Sequence, residues 1–366
     1  MEKKIRAGII GLGNWGRYGH MPALRLLPDF EIVALASRRL ELARELAAEW
    51  RVAHAFADAG ELIAHPHVDL VVVLPPAPQH TGFARAAIAA GKDVYCEWPL
   101  TTSTADSEDL LARAEAAGVR HLVGLQRRLG PSARYVRDLL REGYVGALRS
   151  VRMHVSMNYF QARRSTDLAW TIPPENFSHI LSIYGGHFMD LLFHIAGAPQ
   201  NVSALVTPQF DKITLVETGE SFPNRTPDEV VALGALAGSA VFTLQVEGGK
   251  RNNAGLQIDI TGMAGDLKIS NALPFGNRED NLVEGSQGDG EALAVLPVPA
   301  SYFGLPPSEL DASVLDLAYL YAAYARDRAQ GTRTAPGFDD AVRMHRLIDA
   351  INAASLSGRR QELAPG

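Results

Sequence analysis

The sequence has few of the features that mark secreted, membrane or nucleic-acid-binding proteins. Its single cysteine, Cys96, excludes an internal disulfide and sits in an apolar segment that favours burial. No apolar run approaches the ~20 residues that cross a bilayer, and the apolar stretch after the basic start is too short for a signal peptide. The net charge of −6 gives no electrostatic reason to expect a nucleic-acid groove. We therefore expect a soluble, cytoplasmic protein with no membrane or nucleic-acid partner.

The chain of 366 residues is long enough for two domains, each with its own core. Short apolar runs alternate with helical segments as far as residue 125, which predicts a doubly wound parallel α/β sheet. Later runs are strand-like, joined by short turns and often polar on one face, which indicates an α+β domain on a large, open, mostly antiparallel sheet. We expect domains at 1–125 and 126–366, with the helix at 338–356 packing near the first domain and a surface loop at 271–300.

The clearest motif is GLGNWG, a G-x-G-x-x-G that follows an apolar strand and opens a helix. Gly11 permits the tight turn, Gly13 lets a pyrophosphate approach the backbone, and Gly16 allows the helix to pack closely on the strand. Asn14 and Trp15 lie between them, at a helix N-terminus whose free N–H groups attract phosphates. The motif predicts a dinucleotide site to which these five residues contribute.

The end of the second predicted strand indicates which dinucleotide binds. An acidic residue there would contact the ribose 2′-hydroxyl of NAD, but this chain has Ser37-Arg38-Arg39. A hydroxyl followed by guanidinium groups suits a 2′-phosphate, so we favour NADP over NAD as the cofactor. In the alternative interpretation, Ser37 caps a helix and both arginines are solvated.

Further motifs are spread over nearly the whole chain. They are HMP after the glycine motif, PPAPQH, AIAAGKDVYCEWPL, GLQRRLGPSARYVRDLLREGYVGAL, GGHFMDLL, GMAGDL and FDDAVRMHRLIDAINAASLSG. With these motifs the chain resembles the glucose–fructose oxidoreductase/inositol dehydrogenase (Gfo/Idh/MocA) family. The resemblance implies a Rossmann domain followed by a substrate domain with a large open sheet, and a homodimer or homotetramer that pairs those sheets.

The family's two catalytic motifs are altered in this sequence. Family members usually carry Glu-Lys-Pro, with the lysine beside the nicotinamide, where this chain has Glu97-Trp98-Pro99. An indole can stack and donate one hydrogen bond, but it cannot shuttle a proton. The family's Asp-x-x-x-His corresponds to Ile183 and His187, so the histidine is retained and the aspartate is not. The Glu-Trp-Pro variant resembles the branch of the yeast galactose-pathway repressor.

The resemblance assigns roles around the retained histidine. His187 is the candidate acid/base, because a near-neutral pKa suits that task, and Asp190 lies one helical turn on, where it could orient the ring. Tyr184 and Tyr159 are candidate donors in place of the missing groups. Trp98 would wall the catalytic site. In the alternative interpretation, His187 only caps a helical turn and both tyrosines only pack.

Other residues match family positions near the cofactor or substrate. Pro75 would shape the cofactor cleft, and His80 would lie near the nicotinamide ribose or merely cap a helix. Glu97 fits a contact with the nicotinamide ribose region. Arg127, or its neighbour Arg128, would meet polar groups of the substrate or pair with a surface acid. The pair His65-Pro66-His67 lacks a third ligand nearby, so we predict no metal site.

Two functions follow from these observations. The first is an NADP-dependent oxidoreductase that acts on a small-molecule substrate such as a sugar, a polyol or a related hydroxyl or carbonyl compound. The alternative is a non-catalytic NAD(P)-binding regulatory or sensor protein, acting through protein contacts. A convergent set of polar groups at the nicotinamide would favour the enzyme.

Overall fold

The structure is a computed structural model, and it describes residues 4–157, 159–249, 255–275 and 277–364. The chain divides into two compact units. The first contains Met1–Gln126 and Leu305–Val342, and the second contains Arg127–Gly304 and Arg343–Gly366. The expected division into domains at 1–125 and 126–366 stays a prediction.

The first unit is built on a parallel six-stranded sheet. Its strands are β1 (Ile5–Ile10), β2 (Phe30–Ala36), β3 (His54–Phe56), β4 (Leu70–Val73), β5 (Asp93–Cys96) and β6 (His121–Val123). They lie in the order β3-β2-β1-β4-β5-β6, and each pairs in parallel with its neighbours. Every residue of β4 is buried because helices cover both faces of such a sheet. The doubly wound Rossmann arrangement that the alternating pattern predicts is therefore confirmed.

The helices begin and end at recognisable signals. They are α1 (Met21–Leu26), α2 (Leu40–Trp50), α3 (Ala59–Ala64), α4 (His80–Ala89), α5 (Thr104–Ala117), α6 (Pro131–Arg141), α7 (Gly186–Ala196), α8 (Ala312–Gln330) and α9 (Phe338–Ser357). Ser103 caps α5 by accepting a hydrogen bond from Asp106 N, and Gly118, with φ of +65°, ends it. Among the described helices, none is both long and apolar enough to cross a membrane.

The second unit is built on a large mixed sheet that is mostly antiparallel. Its strands are β7 (Leu148–Ser156), β9 (Asn201–Thr207), β12 (Glu229–Ala235), β13 (Val241–Glu247), β14 (Gly255–Gly262), β15 (Gly265–Asn271), β16 (Leu282–Gln287), β17 (Ala294–Val295) and β18 (Gln361–Glu362). Their order is β17-β16-β15-β14-β7-β13-β12-β9-β18, in which only β7 and β13 are parallel among the described strands. The expected open, mostly antiparallel sheet is confirmed. A smaller sheet contains β8 (Arg163–Arg164), β10 (Lys212–Leu215) and β11 (Ser221–Pro223).

The expected surface loop at 271–300 is wrong for part of its length. Strands β16 and β17 lie within it, and β16 pairs antiparallel with β15. A Cβ on Gly285 would lie 2.7 Å from a methyl carbon of Leu296, so the glycine that resembles a loop signal permits close packing of this strand. Residue 276 lies outside the described residues.

Candidate cofactor and substrate sites

The glycine motif forms a tight turn directly after β1. Gly11 has a φ of +94°, and a Cβ there would lie 2.9 Å from the backbone nitrogen of Pro75. A Cβ on Gly16 would lie 2.8 Å from the carbonyl oxygen of Gly11. Both positions therefore need glycine for the fold itself. Gly13 differs, because no protein atom lies within 4 Å of the place where its Cβ would be.

A cavity of about 710 Å³ opens beside this turn. It is lined by six of the residues that the sequence predicts to bind the cofactor: Gly11, Gly13, Ser37, Arg38, Arg39 and Pro75. It lies at the carboxyl ends of the parallel strands, where β1 separates β2 from β4 and the strand order reverses. Dinucleotides bind at this place in doubly wound sheets.

The residues of this cavity fit a dinucleotide. Gly13 is exposed and lines the cavity, and a side chain at this position would meet no protein atom. A glycine at such a position lets a pyrophosphate approach the backbone. The helical stretch begins beside it, where Arg17 N donates to the carbonyl oxygen of Gly13 at 3.1 Å. Its first N–H groups can therefore face phosphate oxygens.

The side chains after β2 are arranged as hydrogen-bond donors. Ser37 Oγ accepts a hydrogen bond from Arg39 N at 3.2 Å, which leaves the hydroxyl hydrogen for another acceptor. The side chains of Arg38 and Arg39 are exposed. The negatively charged Asp58 also lines the cavity. Its side chain caps α3 by accepting a hydrogen bond from Gly60 N at 2.8 Å. Asp58 is not predicted from the sequence, although aspartate directly before a helix is a favoured N-cap residue.

His80 lies outside this cavity, between two loops. It is 2% exposed, with Nδ1 2.8 Å from the carbonyl oxygen of Pro99 and Nε2 2.6 Å from that of Pro75. Burial lowers its pKa, and the two carbonyl contacts oppose that effect. The ring thus ties the segment after β4 to the segment after β5. Its predicted contact with the cofactor stays a prediction.

Glu97 stands directly after β5, at the centre of a hydrogen-bonded cluster. Its Oε1 accepts from Trp15 Nε1 at 3.0 Å and from the Tyr95 hydroxyl at 2.9 Å, and lies 2.6 Å from His20 Nε2. The backbone nitrogen of Trp98 donates to Oε2 at 3.2 Å, and the Trp98 side chain is buried. The sequence predicts Trp15, Glu97 and Trp98 near the cofactor, but it does not predict that the first two are bonded to each other.

In the second unit, the predicted acid/base lies among aromatic rings. His187 is at the start of α7 and is 5% exposed, and its ring is 5.2 Å from that of Phe275. The ring of Tyr184 lies 4.9 Å from the same phenylalanine. Burial raises the pKa of Tyr184 well above its usual range, so its hydroxyl stays protonated at neutral pH and can donate.

Asp190 forms a buried ion pair in the same helix. Arg128 Nε donates to Asp190 Oδ2 at 2.8 Å, and a second hydrogen bond joins Arg128 Nη2 to Asp190 Oδ1. The side chain of Asp190 is 3% exposed and that of Arg128 is 11% exposed. This two-point pairing fixes the carboxylate. The role of Asp190 in orienting His187 stays a prediction.

Arg127 and Tyr159, the other predicted substrate residues, also contact aromatic side chains. The Arg127 guanidinium lies 4.7 Å from the ring of Phe188 and 4.6 Å from that of Phe275. Tyr159 is 39% exposed, and its ring stacks on Tyr184 at 5.9 Å. The sequence does not predict the contacts of Phe275 with Tyr184, His187 and Arg127, because these residues lie far from it along the chain.

The histidine pair considered as metal ligands lies in the first unit. The ring of His65 is 5.5 Å from that of His67 and 4.3 Å from that of His54, which is on β3. Within the described ranges, no group of three or more His, Cys, Asp or Glu side chains is arranged to hold a metal ion.

Comparisons with known proteins agree with these two units. The family model described as an oxidoreductase family with an NAD-binding Rossmann fold matches residues 5–125, and the model of the Gal80p C-terminal domain matches residues 131–271. The dehydrogenase aclE of Aspergillus oryzae is 31% identical over 258 residues, which cover 66% of this chain and 69% of that protein.

A second relative and a solved structure extend the comparison. The NADP(+)-dependent scyllo-inositol 2-dehydrogenase IolW of Bacillus subtilis is 27% identical over 213 residues, which cover 58% of each protein. The crystal structure of a super-repressor mutant of Gal80p from Saccharomyces cerevisiae has a TM-score of 0.84 and 20% identity, covering 98% of both chains. At this identity the structural likeness shows a shared fold.

Proposed function

Because the chain belongs to the Gfo/Idh/MocA oxidoreductase family, we propose that it transfers a hydride between NADP(H) and a sugar, a polyol or a related hydroxyl or carbonyl compound. The observation that carries this proposal is the cavity of about 710 Å³ at the glycine turn, with Ser37, Arg38 and Arg39 on its wall. A bound nicotinamide would accept or donate the hydride. The residues of the chain would hold the cofactor, orient the substrate and transfer the proton.

The preference for NADP over NAD rests on the donors after β2. A 2′-phosphate offers oxygens to the free hydroxyl hydrogen of Ser37 and to the exposed guanidinium groups of Arg38 and Arg39. We expect Arg38→Glu to weaken NADP binding by about tenfold or more while changing NAD binding much less, a size typical of lost hydrogen bonds to a charged group. Calorimetric titration of both nucleotides measures this. Tighter binding of NAD by the unmodified protein would contradict the preference.

His187 is our candidate for the proton transfer that accompanies the hydride step. Oxidation of a hydroxyl releases one proton, and a neutral imidazole can take it up. Tyr184 stays protonated at neutral pH, so it would act as a hydrogen-bond donor to the substrate oxygen. The rings of Tyr159 and Phe275 would form apolar walls around the substrate.

The decisive experiment combines turnover with nucleotide binding. The purified protein is mixed with NADPH or NADP and a panel of sugars, polyols and their oxo derivatives, and the absorbance of the reduced nicotinamide is followed. We expect turnover with a panel member that is lost in His187→Ala. The matched control is His67→Ala, which changes an exposed histidine. Turnover that survives His187→Ala would contradict the assigned role.

A regulatory function is the second candidate, and specific residues favour it. Trp98 stands where the family carries lysine, and Ile183 stands where it carries aspartate. Residues 131–271 also match the family model of the Gal80p C-terminal domain. For a regulator, we expect NADP to raise the thermal unfolding temperature without turnover of any panel member. If neither NADP nor NAD stabilises the protein, both proposed functions are wrong.

Self-association is proposed for either function. Adjacent strands β9, β12 and β13 expose large apolar side chains: Leu205 (58%), Val231 (38%), Leu233 (52%) and Val241 (50%). Contiguous apolar surface of this kind marks an interaction site. We propose that this face pairs two copies of the chain in a homodimer or homotetramer. Light scattering at micromolar concentration would contradict this if the mass is that of one chain, 39.5 kDa.

A further inference from the structure

A buried network of hydrogen-bonded side chains lies in the first unit, at the end of β5. The donors that would hold the 2′-phosphate follow β2, and the glycine turn follows β1, so a bound dinucleotide would extend from there toward β4 and β5. Because Glu97 follows β5 directly, it would lie at the nicotinamide end of the bound dinucleotide.

The network contains side chains from three segments that are distant in the sequence. His20 Nε2 lies 2.6 Å from Glu97 Oε1, and His20 Nδ1 lies 2.7 Å from the hydroxyl of Tyr321 on α8. Trp15 and Tyr95 donate to the same carboxylate oxygen. The side chains of His20, Tyr95 and Tyr321 are fully buried. Buried polar networks with complete pairing hold their members in one geometry.

The hydrogen positions follow from what each group can do. An indole N–H can only donate. Burial and the charge of Glu97 raise the pKa values of Tyr95 and Tyr321, so both hydroxyls keep their hydrogens. The Glu97 carboxylate can only accept, so its Oε1 accepts from Trp15, from Tyr95 and from His20 Nε2. The Tyr321 hydroxyl pairs with His20 Nδ1 on the other side of the ring.

We propose that His20, backed by Tyr321, is a positioning residue that holds the Glu97 carboxylate in place to bind the nicotinamide end of the cofactor. This inference rests on the proposed cofactor function and adds residues to it. His20 and Tyr321 act through Glu97 and touch neither the phosphates nor the adenosine. Their loss should therefore weaken the binding of the complete dinucleotide and leave the binding of its adenosine half unchanged.

The test compares two pairs of probes by calorimetric titration: NADP with 2′-phospho-ADP, and NAD with ADP. Each second probe lacks the nicotinamide and the ribose attached to it. We expect His20→Phe to raise the Kd of the complete dinucleotide by about tenfold and that of the shorter probe by less than about twofold, the size of one lost hydrogen bond to a charged group. His20→Gln keeps an N–H donor and should recover part of the loss.

A variant that lacks a single oxygen atom tests the proposal with little risk of misfolding. Tyr321→Phe removes only the hydroxyl that pairs with His20, and we expect an increase in dinucleotide Kd of about threefold, within the range of a neutral hydrogen bond. The matched control is Tyr324→Phe on the same helix. Its hydroxyl bonds to Asp93 at 2.6 Å and has no place in the network, so this variant should bind both probes as the unmodified protein does.

Two patterns would overturn the proposal. Equal weakening of both probes by Tyr321→Phe would mean that the network only supports the fold of the glycine turn. Unchanged binding of both probes in His20→Phe and Tyr321→Phe would mean that Glu97 does not depend on them. If the unmodified protein binds neither member of either pair, the cofactor function itself is wrong, which is a different result from either pattern.

Discussion

The glycine turn of the first unit and the histidine region of the second are built in different ways. The turn presents backbone groups to an open cavity, and Gly13 has no protein neighbour on its cavity side. The histidine region consists of large side chains in contact, and His187, Arg127 and Asp190 are all at most 5% exposed. We therefore expect mutations in the turn to separate ligand binding from folding, whereas around His187 we expect both to depend on the same side chains.

The largest expected effect is a loss of stability when the ion pair of the histidine region is removed. Asp190→Ala leaves the buried charge of Arg128 without its carboxylate, and we expect a loss of about 3–5 kcal/mol in the free energy of unfolding. Urea denaturation measures it. The control is Asp259→Ala, which removes the partner of Arg152, a side chain that is 70% exposed, and should cost less than about 1 kcal/mol. Similar losses in both variants would contradict the contrast between buried and exposed pairs.

A second effect in the same unit depends on pH. Burial lowers the pKa of His179 and of His345 to about 4. Unfolding returns each to about 6.5, so the unfolded chain binds more protons and stability falls as the pH drops below that value, until about pH 4. From pH 7.5 to 5.5 we expect a loss of about 1.3 kcal/mol for each histidine.

Denaturation at the two pH values checks this expectation. The variant His345→Phe keeps an aromatic ring against Phe177, which stacks on His345 at 5.6 Å, and should lose the part of the pH dependence that His345 contributes, about 1.3 kcal/mol. A pH dependence that is unchanged in this variant would show that His345 does not carry the proton.

The third expected effect sharpens the comparison at the glycine turn. We expect Gly13→Ala to weaken dinucleotide binding by about tenfold, or 1.4 kcal/mol, with a change in unfolding free energy below about 0.5 kcal/mol. Gly11→Ala should instead destabilise the fold by about 1–3 kcal/mol because of its positive φ and its contact with Pro75. Titration and denaturation of both variants measure the two effects.

The control for the turn is Gly82→Ala on α4, where a new Cβ also meets nothing within 4 Å. This exposed helical position should keep nucleotide binding unchanged and gain up to about 1 kcal/mol of stability. Equal nucleotide binding by Gly13→Ala and Gly82→Ala would show that no phosphate approaches the backbone at Gly13.

Much of the first unit could be predicted from the sequence because its signals are local. The sequence predicts a helix from about Leu40 to Trp50 and short strands at His54–Phe56 and Asp93–Cys96. The bounds of α2, β3 and β5 match these segments, since each is a short apolar or periodic run between clear breaks. The helix α3 is missed, because six residues carry too little periodicity. Strand β16 is missed because its glycine resembles a loop signal.

The sequence by itself determined the fold class, the glycine turn and the donors after β2, because each depends on residues within one strand-turn-helix unit. Only the tertiary structure decided that Glu97 meets His20, 77 residues away, and that His20 meets Tyr321, 301 residues away. It also decided that Phe275 packs against His187 and that Arg128 pairs with Asp190. Such contacts depend on how elements pack together, and the periodicity of a single segment does not indicate which distant residues it contacts.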